Sequence, residues 1–273
     1  MRVLLSTVGS RGDVQPLVAL ASHLRDTGHD ACLCVPPGFE EFAQGFDYFP
    51  IGHDPRLGPR KVEGGPAGTV AMQFAVMREA VIGCDVVVGC AAMQIATRSI
   101  AEMAGVPYLY TAYSPAVLPS EHHSPPPVHG PPRPEGVSAR TQWEVDAQWW
   151  NEVWSDGLNA ARTAAGLAPV TDVRAHVMTD HPLLAADPTL APWPTPSELS
   201  VVQTGSWLRP GCSGIARSYC AGGLGSPLPT NPRTASPCRR RTCRRSSRVS
   251  RPSCITAERA PRRRRCVRVR RRW

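Results

Sequence analysis

Residues 2–16 read RVLLSTVGSRGDVQP. The first six, 2–7, are a short apolar run with β-branched members that gives way to a glycine-containing loop, the pattern of a buried parallel strand. The loop VGSRGDV follows, and then a helix with Asp13 near its N-cap and Pro16 in its first turn. Leu17, Leu20, Ala21 and Leu24 recur at i, i+3, i+4 and i+7, so one face of that helix is apolar. Gly28 stands where a helix C-terminus wants a left-handed residue.

The alternation continues downstream. Residues 30–36, 47–52, 85–91 and 106–114 read as four further buried strands. A short helix is expected at 38–46 (GFEEFAQGF), others at 69–83 and 92–105, and a long helix or helix pair at 137–166. PLLAADPTLAP and SVVQTGSW are expected to supply a loop and one more strand. Strands and helices in turn predict an α/β fold, a Rossmann-like doubly wound parallel sheet. Ligands in such sheets sit at the carboxyl ends of the strands, which directs attention to the loop after the first one.

That loop, STVGSRGDV, is neither a G-x-G-x-x-G fingerprint nor a Walker loop, since it lacks the lysine. It places one carboxylate, Asp13, at the end of the strand, with Ser10, Arg11 and Gly12 beside it. A carboxylate at a helix N-terminus is favoured as the anion by the helix dipole, and a general base must be ionised. A plain capping role for Asp13 fits the spacing equally well.

Other stretches are less decisive. Residues 53–68 are charged and rich in Gly and Pro, and suggest a mobile loop; 115–136 are Pro-rich, as a binding loop or lid would be. His122 and His123 are adjacent in that loop, where neighbouring side chains diverge, so solvated histidines are expected rather than a metal or catalytic pair. Trp143, Trp150 and Trp154 share a helical face, expected to pack on the sheet; a wall for an aromatic acceptor is the other reading. Cys32, Cys34, Cys84 and Cys90 lie in apolar runs as buried thiols, with no zinc-type spacing. The N-terminus lacks a signal-peptide pattern, and no apolar stretch reaches 18 residues. A cytoplasmic protein with no membrane span is therefore expected, acting as a monomer and without a metal.

The charge of +9 is divided unevenly. Residues 211–273 hold eighteen arginines, no lysine and a single acid, Glu258, for a net +17, whereas residues 1–210 carry −8. The whole-chain charge is therefore no footprint of a nucleic-acid partner, which the acidic body argues against.

MRVLLSTVGSRGDVQPLVALASHLRDTGH resembles the opening of the GT-B fold glycosyltransferases, and SRGDVQP (10–16) is similar to their N-terminal signature. The likeness continues through CVPPGFEEFA, GVPYLYTAYSPAVLPS, TDHPLLAADPTLAP and VVQTGSW, over about residues 1–210, and is greatest to enzymes that glycosylate vancomycin-group glycopeptide antibiotics. The resemblance implies an N-terminal, acceptor-binding half (1–210) of an inverting, metal-independent hexosyltransferase. It implies a dTDP- or UDP-sugar donor and no cofactor, and an acceptor that is a small molecule or peptide antibiotic. Asp13 would be the catalytic base and Ser10, Arg11 and Gly12 would lie by the reacting centre, with 53–68 and the Pro-rich loop around the acceptor. A sterol, lipid or macrolide is the alternative acceptor.

In that family the donor diphosphate rests on a second-domain helix N-terminus within a sequence like HHGGAGTT, an anion site of backbone N–H groups. No such string is present here. The body has one lysine, Lys61, against twelve arginines, a bias that suggests a GC-rich gene. Reading the tail one base earlier, from Ser247 to Trp273, the codons can be written PRVAAVLHHGGAGTTTAAVRAGAPQV. The wobble bases are chosen, but GC bias forces the two histidines, from Cys254–Ile255 and Ile255–Thr256. Residues 211–273 are accordingly expected to be a disordered, frameshifted remnant of the donor domain, and the chain to be inactive. The competing expectation is a binding protein with a true Arg-rich arm for RNA or DNA.

Overall fold

The computed structural model describes residues 1–58, 62–91, 93–127 and 136–208. The expected disorder of 211–273 lies outside the described residues, as do 59–61 and 128–135 of the two loops singled out above.

Seven strands, β1 (Arg2–Thr7), β2 (Asp30–Val35), β3 (Asp47–Pro50), β4 (Val86–Cys90), β5 (Tyr108–Ala112), β6 (Leu183–Leu184) and β7 (Val202–Gln203), make one sheet. Its order is β3-β2-β1-β4-β5-β6-β7 and every neighbouring pair is parallel. The chain winds outward from β1 to β3, then returns to the other side of β1 at β4, so the switch point lies between β1 and β4. The helices are α1 (Arg11–Asp26), α2 (Gly65–Ala80), α3 (Thr97–Ala104), α4 (Ala139–Ala164) and α5 (Val173–Met178).

Successive strand residues face opposite sides of the sheet. Val3, Leu5, Leu33 and Val88 join Val14, Leu17, Val18 and Ala21 of α1 in one core. Leu4, Cys32, Cys34 and Val87 join Phe74 and Met77 of α2 and Ile100 of α3 in the other. Each fully buried Leu or Val contributes about 1.5–3 kcal/mol, which is why a five- or six-residue apolar run suffices to seat a strand.

Three expectations are corrected. Residues 38–46 form turns, not a helix; Gly38 and Gly45 have φ of 90° and 85°, and Phe39 and Phe42 meet edge to face between them. Pro16 stands in the second turn of α1, because the helix starts at Arg11. Trp143, Trp150 and Trp154 are buried, but α4 packs chiefly on α2 and α5 rather than on strands. Gly157 permits that approach: a Cβ there would lie 2.8 Å from Ala67 Cα of α2.

A buried polar cluster joins α3, α4 and α5. Arg162 donates to Ser99 Oγ at 2.8 Å, to Glu102 Oε2 at 2.7 Å and, through Nε, to the Ala168 carbonyl at 2.7 Å. His176 Nε2 lies 3.0 Å from Ser99 Oγ and 3.3 Å from the Arg162 guanidinium, and Arg98 donates to the His176 carbonyl. Burial, with Arg162 and Arg98 nearby, lowers the His176 pKa from 6.5 to about 4, against the opposing pull of Glu102. The native imidazole is therefore neutral where the unfolded one takes a proton. Its contribution is complete above pH 6.5 and falls as pH drops towards 4, by on the order of 2–3 kcal/mol. Urea midpoints measured from pH 7.5 to 4.5 should fall along that window, and His176→Asn should flatten the slope; an unchanged slope would place its origin elsewhere.

Candidate active site

β1 ends at Thr7, and Val8, Gly9 and Ser10 carry the chain to the start of α1 at the switch point. Ser10 is the N-cap residue, with extended backbone (φ −83°, ψ −176°). Its hydroxyl oxygen accepts from the Gly12 N–H at 3.2 Å. Asp13, three residues on, returns its carboxylate: Oδ2 accepts from the Ser10 N–H at 2.7 Å and from Ser10 Oγ at 3.1 Å. The pair makes a reciprocal capping box, satisfying donors that a helix start otherwise leaves open.

The structure thus gives Asp13 the capping role that spacing allowed, and uses one oxygen for it. Among the described residues no hydrogen bond reaches Oδ1. The other side of Asp13 is fixed from just past the end of β5, where the Tyr113 hydroxyl donates to the Asp13 carbonyl at 3.1 Å. Pro16 has no N–H to offer the carbonyl of Gly12, so that oxygen too lacks its usual helical donor.

Gly9 is required by this arrangement. A Cβ on it would sit 2.5 Å from Asp13 Cγ and 2.9 Å from Asp13 Cβ. Gly9→Ala is expected to expel the carboxylate from the cap and destabilise the fold by about 1–2 kcal/mol, the usual value of a lost cap. Thermal unfolding of the variant reads this directly; an unchanged midpoint would mean that the loop relaxes around the methyl group.

Ser10 and Arg11 open onto a cavity of about 570 Å³, walled by Phe39, Phe42, Pro55 and Arg56. Arg11 lies over the Phe42 ring at 5.4 Å and Arg56 over Phe39 at 5.9 Å. Arg56 also grips Asp54, whose carboxyl is held below the usual carboxylate range chiefly by that bond. A second cavity of about 270 Å³ is bounded by Pro119, Glu121, Arg140, Trp143 and Arg174. The two loops expected to shape one acceptor pocket therefore line two separate cavities, 53–68 through Pro55 and Arg56, and the Pro-rich segment through Pro119 and Glu121.

The histidines of that segment part company, as adjacency required, but they are not simply solvated. His122 is exposed and its Nε2 meets the Pro196 carbonyl at 2.9 Å. His123 is half-buried, edge-on to both Trp143 and Trp193, and its carbonyl accepts the Trp143 indole N–H at 2.8 Å. Trp143 consequently belongs both to the buried face of α4 and to a cavity wall. No group of three metal-ligating side chains assembles among the described residues, and none of their helices is long and apolar enough to cross a membrane.

Comparison with known proteins gives the chain its relatives. Residues 3–122 match the glycosyltransferase family 28 N-terminal domain. The chain is 42% identical over 224 residues to glycosyltransferase GtfE of Amycolatopsis orientalis, covering 77% of this chain and 54% of the relative. It is 40% identical over 222 residues to the vancomycin aglycone glucosyltransferase of the same organism, with the same coverage. Among solved structures, the calicheamicin glycosyltransferase CalG4 superposes with a TM-score of 0.51 at 19% identity, covering 75% of this chain and 52% of that one. This last likeness speaks to the fold alone. The chain spans about half the length of the curated relatives it matches.

Proposed function

We propose that the chain, whose residues 3–122 match the glycosyltransferase family 28 N-terminal domain, is the acceptor-side half of an inverting, metal-independent glycosyltransferase. The acceptor is a glycopeptide-antibiotic aglycone and the donor a nucleotide-diphospho-sugar. Asp13 Oδ1 takes the proton of the acceptor hydroxyl, whose oxygen attacks the anomeric carbon as the sugar–phosphate bond breaks on the opposite face. Ser10 holds Oδ2 and so aims Oδ1. The observation that carries this reading is the half-occupied Asp13 carboxylate at the switch point. The cavity beside Ser10, with its two phenylalanines, supports an acceptor that bears aromatic groups.

The leaving diphosphate needs a cradle of N–H groups or cations, and electrostatic stabilisation of that kind is usually a large catalytic term. Residues 211–273 supply no HHGGAGTT string in frame. The reading of the tail as misread donor-domain code rests on the HHGGAGTT string that the shifted frame of 247–273 can be written to contain. The 273-residue chain is accordingly inactive. Two measurements test this. Sequencing of the gene should find a continuous second-domain frame overlapping the tail, and its absence would end the frameshift reading. Purified chain given a dTDP- or UDP-sugar and the aglycone should form no glycoside, whereas restored frame should; product from the short chain would overturn the inactivity.

A further inference from the structure

Four free thiols lie among the described residues, all four read from the sequence as buried thiols in apolar runs. Cys32 of β2 and Cys84, in the turn between α2 and β4, are 52 residues apart in sequence, yet their sulfurs lie 3.5 Å apart. Both converge on the Ala80 carbonyl at the end of α2, at 3.7 Å and 3.4 Å. Cys34 and Cys90, by contrast, are buried apart from any other thiol contact among the described residues. We propose that Cys32 and Cys84 form an oxidisable pair that closes to a disulfide when the protein meets a peroxide.

Arg2 supplies the chemistry. Its guanidinium bonds Asp30 at 3.0 Å and Asp47 at 2.6 Å, while its buried Nε has no partner among the described residues. The charge of Arg2 favours a thiolate on Cys84. The two thiols are pushed in opposite directions: the hydrogen bond from Cys32, aided by Arg2, lowers Cys84, and the same bond together with burial raises Cys32. Cys84, in a turn and the less buried of the two, is the nucleophile, and Cys32 is the resolving thiol.

The steps balance. The Cys84 thiolate attacks one peroxide oxygen, the O–O bond breaks, and with one proton taken up the products are a sulfenic acid and water. The Cys32 sulfur then displaces the sulfenic hydroxyl, releasing a second water and leaving Cys32–Cys84 bonded. Two thiols are oxidised and one peroxide is reduced. The sulfurs must close by roughly 1.5 Å to reach disulfide length. The pair sits at the amino end of the sheet, the end opposite Ser10 and Asp13, so the bond would tie β2 to the end of α2 without touching the candidate active site.

The test is peptide mapping of the full chain, folded, after brief hydrogen peroxide treatment and alkylation of the remaining thiols. A peptide linked through Cys32 and Cys84 should accumulate, two hydrogens lighter than its parts, and about tenfold or more above its yield in urea, where only loop closure brings the thiols together. Cys32→Ser should leave Cys84 as a sulfenic acid that dimedone traps. Equal yields in folded and unfolded chain would overturn the proposal. So would oxidation of Cys84 without any link to Cys32, or links only to the six cysteines of 211–273.

Discussion

In a chain whose second-domain frame has been restored, Asp13→Asn is expected to lower kcat by about 10²–10⁴-fold with little change in stability. The substitution separates two duties of one side chain. As a cap, position 13 needs only an acceptor oxygen for the Ser10 N–H, now 2.7 Å from Oδ2, and an asparagine carbonyl supplies it. As a base it needs an anionic oxygen for the acceptor proton, which an amide cannot offer. Asp13→Ala removes both and should lose the rate and, in addition, about 1 kcal/mol of stability. Steady-state kinetics beside urea unfolding resolves the two. If Asp13→Asn kept nearly full activity, the carboxylate would be a cap only.

Arg162→Ala should be the most damaging single change away from the site, at about 3–5 kcal/mol. The guanidinium is nearly fully buried and is shared among Ser99, Glu102 and the Ala168 carbonyl. Truncation leaves each of these without that donor, and leaves Glu102 as a partly buried charge with Arg98 as its remaining ion pair. Because Arg162 also helps hold His176 neutral, its loss should bring the protonation of His176 closer to its ordinary value and shallow the acid slope. Denaturant unfolding of Arg162→Ala at pH 7.5 and pH 5 would show both effects. A loss under 1 kcal/mol would mean that water enters and takes over the bonds.

What could be read from the sequence follows the range of the interactions. β1, β2, β4 and β5 are apolar runs bounded by glycine or charge, and α1 announces itself through Ser10, Asp13 and a four-residue apolar stripe. These are local signals and the structure returns them within a few residues. β7 falls within SVVQTGSW, where a strand was expected, whereas β6, two residues in a stretch read as loop, is too short to show any period and exists because β5 offers an open edge. α5 is a six-residue helix begun by an Asp172 cap and was hidden in a stretch without a stripe. The Arg162–Glu102–His176 cluster and the Cys32–Cys84 contact join residues 14 to 74 apart and leave no local mark. At the site itself, position 13 was legible, but the use of one oxygen and the need for Gly9 were not, since both depend on where a side chain turns.

The reciprocal bonds between Ser10 and Asp13 bear on the timing of order. A free aspartate samples several rotamers and would have to surrender that freedom each time an acceptor arrived. Here the loss is incurred once, when α1 forms, and in the role proposed for Asp13 the encounter inherits a carboxylate already oriented. Substitutions in the Gly9–Asp13 turn should therefore register twice, first in how well the helix begins and then in how often a collision is productive.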